Sequence, residues 1–226
     1  MEPTTHHIPV TRTAHYYTLG TAGPKTKRFW LACHGYGQLA QNFIRKFDII
    51  AGEEDYVVAP EGLSRFYWNG LSGDVVASWM TKADRLDEIK DYSAMLTTIF
   101  QTQLALLPDD VEIILFGFSQ GCATQVRWLM QVKPRFDHLW LWAGRFPEDI
   151  DYSDALDYLN AKPIHSFIGD ADQLIKPHHI KFYRQLIKQA GIRMEEHQFA
   201  GDHRVVRQAL IGFCQTLIPS FQHTAT

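Results

Sequence analysis

Val111-Glu112-Ile113-Ile114-Leu115-Phe116-Gly117-Phe118-Ser119-Gln120-Gly121 is the stretch that decides how this chain folds. Residues 111–116 form an apolar, β-branched run of strand length, set off by the breaker Pro108-Asp109-Asp110. Gly117-Phe118-Ser119-Gln120-Gly121 then matches G-x-S-x-G, and a helical pattern over 120–132 follows, ending near Lys133-Pro134. A serine between strand and helix must sit on a sharp reversal if its hydroxyl is to stand clear of the sheet. Glycines two before and two after it let strand and helix approach without side-chain collision. The helix N-terminus then directs free backbone N–H groups toward a reacting oxygen.

Outward from this elbow, short apolar runs alternate with longer amphipathic ones. That rhythm predicts an α/β fold: a mostly parallel sheet flanked by helices on both faces. Eight strands are expected, at 6–10, 12–19, 29–33, 56–59, 111–116, 139–142, 164–168 and 194–199. Helices are expected at 39–50, 83–105, 120–132, 177–190 and 203–217, with a short one inside an irregular 144–162. The stretch 61–82 has no clear period and reads as a long excursion or lid. No repeat, low-complexity segment or linker divides the chain, so 1–226 is expected to form a single domain.

Composition narrows the class. The 226 residues are 46% hydrophobic and 21% charged, which is ordinary for a globular protein. A net charge of −3 gives no general electrostatic reason to bind nucleic acid or an anionic membrane. No apolar stretch approaches the ~20 residues of a membrane span, and the start of the chain lacks the pattern of a secretory signal. Three cysteines, Cys33, Cys122 and Cys214, lie in apolar surroundings, which argues for a reducing, cytoplasmic setting rather than a disulfide framework. Nothing in composition speaks to oligomeric state.

A serine hydroxyl is a weak nucleophile until a base takes its proton, and that base is commonly a histidine oriented by a carboxylate. Two loops supply candidates. Gly169-Asp170-Ala171-Asp172 follows the predicted strand 164–168, and Gly201-Asp202-His203 follows 194–199. Serine, acid and histidine thus occur in hydrolase order, with Asp170 and Asp172 both open as the acid and Asp202 read as a turn residue.

These pieces, with His34-Gly35-Tyr36-Gly37, resemble the carboxylesterase, phospholipase and acyl-protein thioesterase branch of the α/β-hydrolases, including small bacterial predicted esterases. The Gly-Phe-Ser-Gln-Gly elbow is typical of that branch. The resemblance implies a serine hydrolase acting on small-molecule carboxylic esters or thioesters through an acyl-enzyme on Ser119, without a cofactor. It further implies Asp172 as the acid, at the family's G-x-x-D position, and His203 as the base. The backbone N–H groups of Gln120 and Tyr36 are the implied oxyanion hole, with His34 a structural residue of that turn. The chain differs from typical acyl-protein thioesterases at Tyr36-Gly37-Gln38, at Cys122 and across 61–82. Related hydrolases of lactones, aryl esters or peptides, and a non-catalytic binding module of the same fold, are the alternatives.

Several residues carry further expectations. Phe66, Trp68 and Trp79 are candidates to line an apolar substrate pocket, and Trp140 and Trp142 are expected in the core. Cys122 opens the helix after the elbow and reads as a small buried residue. His178 and His179 read as an exposed helix start, and no metal site is expected.

Overall fold

Along the central strands, side chains alternate between two buried faces. The computed structural model of the protein describes residues 2–175 and 177–221, the side chains of 177–179 excepted, so the reading of His178 and His179 lies outside the described residues. The strands are β1 (Tyr16–Leu19), β2 (Arg28–Cys33), β3 (Asp55–Pro60), β4 (Ser64–Asn69), β5 (Ser72–Ser78), β6 (Glu112–Phe118), β7 (His138–Trp142), β8 (Ile164–Gly169) and β9 (Glu195–Phe199). The helices are α1 (Ala40–Phe43), α2 (Arg85–Leu104), α3 (Gln120–Val132), α4 (Leu156–Asn160), α5 (Pro177–Gln189) and α6 (Arg207–Leu217). The main sheet has the order β1-β3-β2-β6-β7-β8-β9. It is parallel throughout except for the antiparallel pair β1–β3.

Phe29, Leu31, Ile113 and Leu115 face a layer that includes Tyr92 and Leu96 of α2, Val126 and Leu129 of α3, and Ile187 of α5. Trp30, Ala32, Ile114 and Phe116 face the other side, against Phe43 of α1 and Leu210 and Cys214 of α6. With both faces covered, every strand position can be apolar, which is why these strands read as unbroken apolar runs. Each large side chain so buried contributes about 1.5–3 kcal/mol. Trp140 and Trp142 are fully buried in the second layer, as core residues.

The main sheet has seven strands, not eight. Residues 6–10 form no strand, and Ile8 and Val10 are 77% and 78% exposed. Pro9 withholds a ladder donor there, and no neighbouring strand pairs beyond β1. The stretch 61–82 holds an antiparallel hairpin, β4–β5, forming its own two-stranded sheet. Its outer half is exposed on both sides, so it shows no apolar alternation. Asn69-Gly70, with Gly70 at φ 73°, is the hairpin turn signal that lay in the sequence. The helix expected over 39–50 is only α1 and one following 3-10 turn, Ile44–Phe47. The closing helix begins at Arg207 rather than 203, which leaves His203 on a loop.

Candidate active site

β6 ends at Phe118 and α3 begins at Gln120, so Ser119 alone makes the reversal. It does so at φ 52° and ψ −115°, a conformation a non-glycine residue holds only when its surroundings impose it. Two hydrogen bonds impose it. The Ser119 N–H donates to the Trp142 carbonyl at 2.9 Å, and the Ser119 carbonyl accepts from the Cys122 N–H at 3.1 Å. A Cβ on Gly121 would lie 2.2 Å from the Cys33 carbonyl oxygen, and one on Gly117 would lie 2.6 Å from the Cys122 Cα. Both positions therefore require glycine for close backbone approach.

The loops after β8 and β9 bring Asp172 and His203 to this serine. His203 Nε2 lies 2.9 Å from Ser119 Oγ, and His203 Nδ1 lies 2.7 Å from Asp172 Oδ2. The Asp172 carboxylate is buried, and its Oδ1 accepts hydrogen bonds from the N–H groups of Leu174 (2.9 Å) and Ile175 (3.3 Å). A carboxylate only accepts, so Nδ1 carries the imidazole proton and Nε2 presents its lone pair to the serine hydroxyl. Asp170 is turned elsewhere: it is exposed, and its Oδ1 accepts from the Gly201 N–H at 2.9 Å, tying the two loops together. Asp202 pairs with Arg204, Nε to Oδ2 at 3.0 Å.

The loop after β2 closes against the same serine. A Cβ on Gly35 would come 3.3 Å from the Ser119 Cβ. Within this loop the Gly35 N–H donates to Gln38 Oε1 and the Gly37 N–H to the Ala77 carbonyl, each at 2.9 Å. The N–H groups of Tyr36 and Gln120 have no hydrogen-bond partner among the described residues. His34 is buried; its Nδ1–H donates to the Gly35 carbonyl at 2.7 Å, and its Nε2 accepts the Gly62 N–H at 3.0 Å. Burial pulls its pKa down to about 4, so it is a neutral brace of the turn. The Gln120 side chain pins the hairpin base, accepting from the Trp79 N–H at 3.2 Å and donating to the Met80 carbonyl at 3.0 Å.

A cleft of about 580 Å³ opens beside Ser119 and His203. Its walls include Phe146, Leu174 and Ile175, but also Arg85, Arg127, Arg145, Glu148 and Asp149. Arg127 grips Asp149 with two hydrogen bonds, of 2.6 and 3.1 Å, and Arg85 adds a third at 2.6 Å. Arg127's hydrogen bonds hold the Asp149 carboxyl below its ordinary range. Sequence reading missed these residues. An arginine at position 127, one face-repeat beyond Ala123 on a helix whose neighbours are buried, was the available signal.

Of the three expected pocket residues, none lines this cleft. Trp79 is 1% exposed; its indole N–H donates to the His34 carbonyl at 2.8 Å and its ring packs on Tyr92, so it is a core residue. Phe66 and Trp68 pack at a tilt against Tyr36, with ring centroids 5.5 and 5.9 Å away, and so flank the loop after β2 instead. Cys122 is buried, with its S–H donating to the Gly117 carbonyl at 3.0 Å; burial pushes its pKa up, so it is no thiolate.

Comparison with known proteins agrees with this architecture. The chain aligns over 92% of its length with an acyl-protein thioesterase 2 from Zea mays (TM-score 0.69, 15% identity, 99% of that chain). It aligns over 92% with YahD, whose structure was determined with malic acid (TM-score 0.67, 15% identity, 100% of that chain). It also aligns over 92% with a Bacillus cereus carboxylesterase (TM-score 0.66, 12% identity, 95% of that chain). At such identities the likeness is one of fold. No curated protein sequence matches significantly. Residues 22–218 match the sequence model of the phospholipase/carboxylesterase family. This chain, with its α/β-hydrolase fold, therefore belongs to the phospholipase/carboxylesterase family of hydrolases.

Proposed function

We propose that the protein is a serine hydrolase that cleaves carboxylic esters or thioesters through an acyl-enzyme on Ser119. The observation that carries this reading is the hydrogen-bond chain from Ser119 Oγ through His203 to Asp172. His203 Nε2 takes the hydroxyl proton as Ser119 attacks the substrate carbonyl, and Asp172 steadies the imidazolium that forms. The N–H groups of Gln120 and Tyr36 receive the tetrahedral oxyanion; neither has a partner among the described residues. His203 then protonates the leaving alcohol or thiol. In the second step it deprotonates the water that releases the acid and regenerates Ser119.

The cleft beside Ser119 bears three arginines against two carboxylates. Such walls favour compact, polar, anion-bearing substrates over long acyl chains, because a long chain would strand charged groups without water. No helix of the described residues is long and apolar enough to cross a membrane.

Intact-mass analysis after treatment with a fluorophosphonate tests the central step. One adduct on the wild type and none on Ser119→Ala is the expected result. A folded wild type that stays unlabelled refutes an activated Ser119. Short carboxylate-bearing esters should then be turned over faster than esters of long fatty acids, and the opposite ranking would remove the substrate assignment alone.

A further inference from the structure

A second cluster of polar side chains lies at the end of the sheet remote from Ser119. His165 is the second residue of β8, and Glu195 and His197 are the first and third of β9. His165 is in register with Glu195 across the parallel pair. Residues two apart on a strand share a face, so all three side chains leave the same face of adjacent strands.

Their donor atoms converge. His165 Nδ1 lies 3.0 Å from His197 Nε2, 3.7 Å from Glu195 Oε2, and the last two atoms are 3.9 Å apart. The carboxylate oxygen is beyond hydrogen-bond reach of either ring, so hydrogen bonding does not explain where it points. The nearest point equidistant from the three atoms lies in their plane, about 2.1 Å from each, and an ion raised slightly out of that plane toward a fourth ligand stays close to the bond lengths of zinc to imidazole nitrogen and carboxylate oxygen. His165 is buried while the Glu195 side chain is 70% exposed, so the cluster has a dry side and a side open to solvent. Phe167 and Phe213 pack on the His197 ring at 5.1 and 5.4 Å and fix its orientation. His138 stacks nearby but spends its Nε2 on Glu112 Oε1, at 2.8 Å.

We propose that His165 Nδ1, His197 Nε2 and Glu195 Oε2 bind a divalent first-row cation of the zinc class, with water at the open tetrahedral position. Two imidazoles and one carboxylate are donors that suit such an ion, and its affinity order places zinc above iron and manganese. The ion ties the edge strand β9 to β8. Because β9 runs on into the loop that carries His203, the tie steadies that loop from a distance and takes no part in the chemistry.

The test uses the full chain, stripped with a chelator and titrated with zinc chloride. Calorimetry follows binding and thermal melting follows stability, for wild type, His197→Gln and Glu195→Gln. The wild type should show a saturable site and a Tm that rises with zinc. Each variant should bind at least about tenfold more weakly and lose the zinc-dependent rise in Tm. Fluorophosphonate labelling of the metal-free proteins should be equal, which separates this site from the proposed reaction at Ser119. No saturable binding by the wild type, or equal affinity in the variants, overturns the proposal. If His197→Gln does not fold, the exposed Glu195→Gln decides by itself.

Discussion

The two ends of the parallel sheet both gather histidine and carboxylate, and they do so by different means. At the carboxyl end, Ser119, Asp172 and His203 stand on three loops beyond β6, β8 and β9. Each needs its own support: a strained backbone at Ser119, two loop amides on Asp172, and Asp170 lashing one loop to the other. At the amino end, His165, Glu195 and His197 need no loop at all, because strand pleat and register place them. Loops buy freedom to aim a side chain outside the pleat, at the expense of dedicated hydrogen bonds. Strands give placement without adjustment.

The largest expected effect breaks the carboxyl-end assembly outright. Ser119→Ala should lower ester turnover by roughly 10⁴-fold or more, with an unchanged fold by circular dichroism. Turnover within tenfold of the wild type would remove Ser119 from the chemistry. Next comes the contrast between the two loop carboxylates. Asp172→Asn should cost about 10³–10⁴-fold in kcat, because an amide no longer enforces the Nδ1–H tautomer of His203. Asp170→Asn should stay within a few-fold, since its oxygen only braces the Gly201 N–H. Comparable losses in the two variants would contradict the assignment.

A third measurement separates the two tryptophans of the stretch 61–82, Trp68 and Trp79. Trp79→Ala should destabilise the fold by about 3–5 kcal/mol in a denaturant titration, as truncation of a fully buried aromatic does. Trp68→Ala, at a site 54% exposed, should cost less than about 1 kcal/mol. Equal costs would mean the hairpin packs differently.

The smallest effect concerns His34. Its folded pKa of about 4 lies below its ordinary value of 6.5 because burial disfavours the charged ring. Between those values the unfolded chain binds the proton and the folded chain does not. Stability from this group is therefore complete above about pH 6.5 and falls as pH drops toward 4, by at most about 1.4 kcal/mol per pH unit. His34→Gln should flatten the stability curve in that window, whatever its cost at neutral pH. A variant with the wild-type slope would show that another group sets acid sensitivity.

Much of the frame was legible because its rules are local. Apolar runs bounded by Gly and Pro marked β2, β3, β6, β7 and β8 to within a few residues, and the stretch before Gly201 marked β9. The hairpin escaped because its outer half stays largely in solvent: Tyr67, Trp68 and Leu71 are 51%, 54% and 99% exposed, so burial imposed no period. The pocket aromatics were misplaced for a related reason. Residue type says that Trp79 will be buried, but not against which surface. Arg127 and Asp149, 22 positions apart, meet only because α3 and the loop after β7 share a wall of the cleft.

By itself the sequence determined the α/β class, the elbow at Ser119 and the histidine opposite it. The first two depend on steric limits acting over a handful of residues: a strand, a turn that only small neighbours permit, a helix start; the histidine followed from chain order and the resemblance. Tertiary structure alone decided that the cleft is lined with arginine rather than tryptophan and that His165, Glu195 and His197 converge, and it turns Asp172, the acid that the G-x-x-D resemblance implied, toward His203 and Asp170 away from it. Each depends on residues far apart in the chain, brought together by strand order, which follows from how the whole core packs.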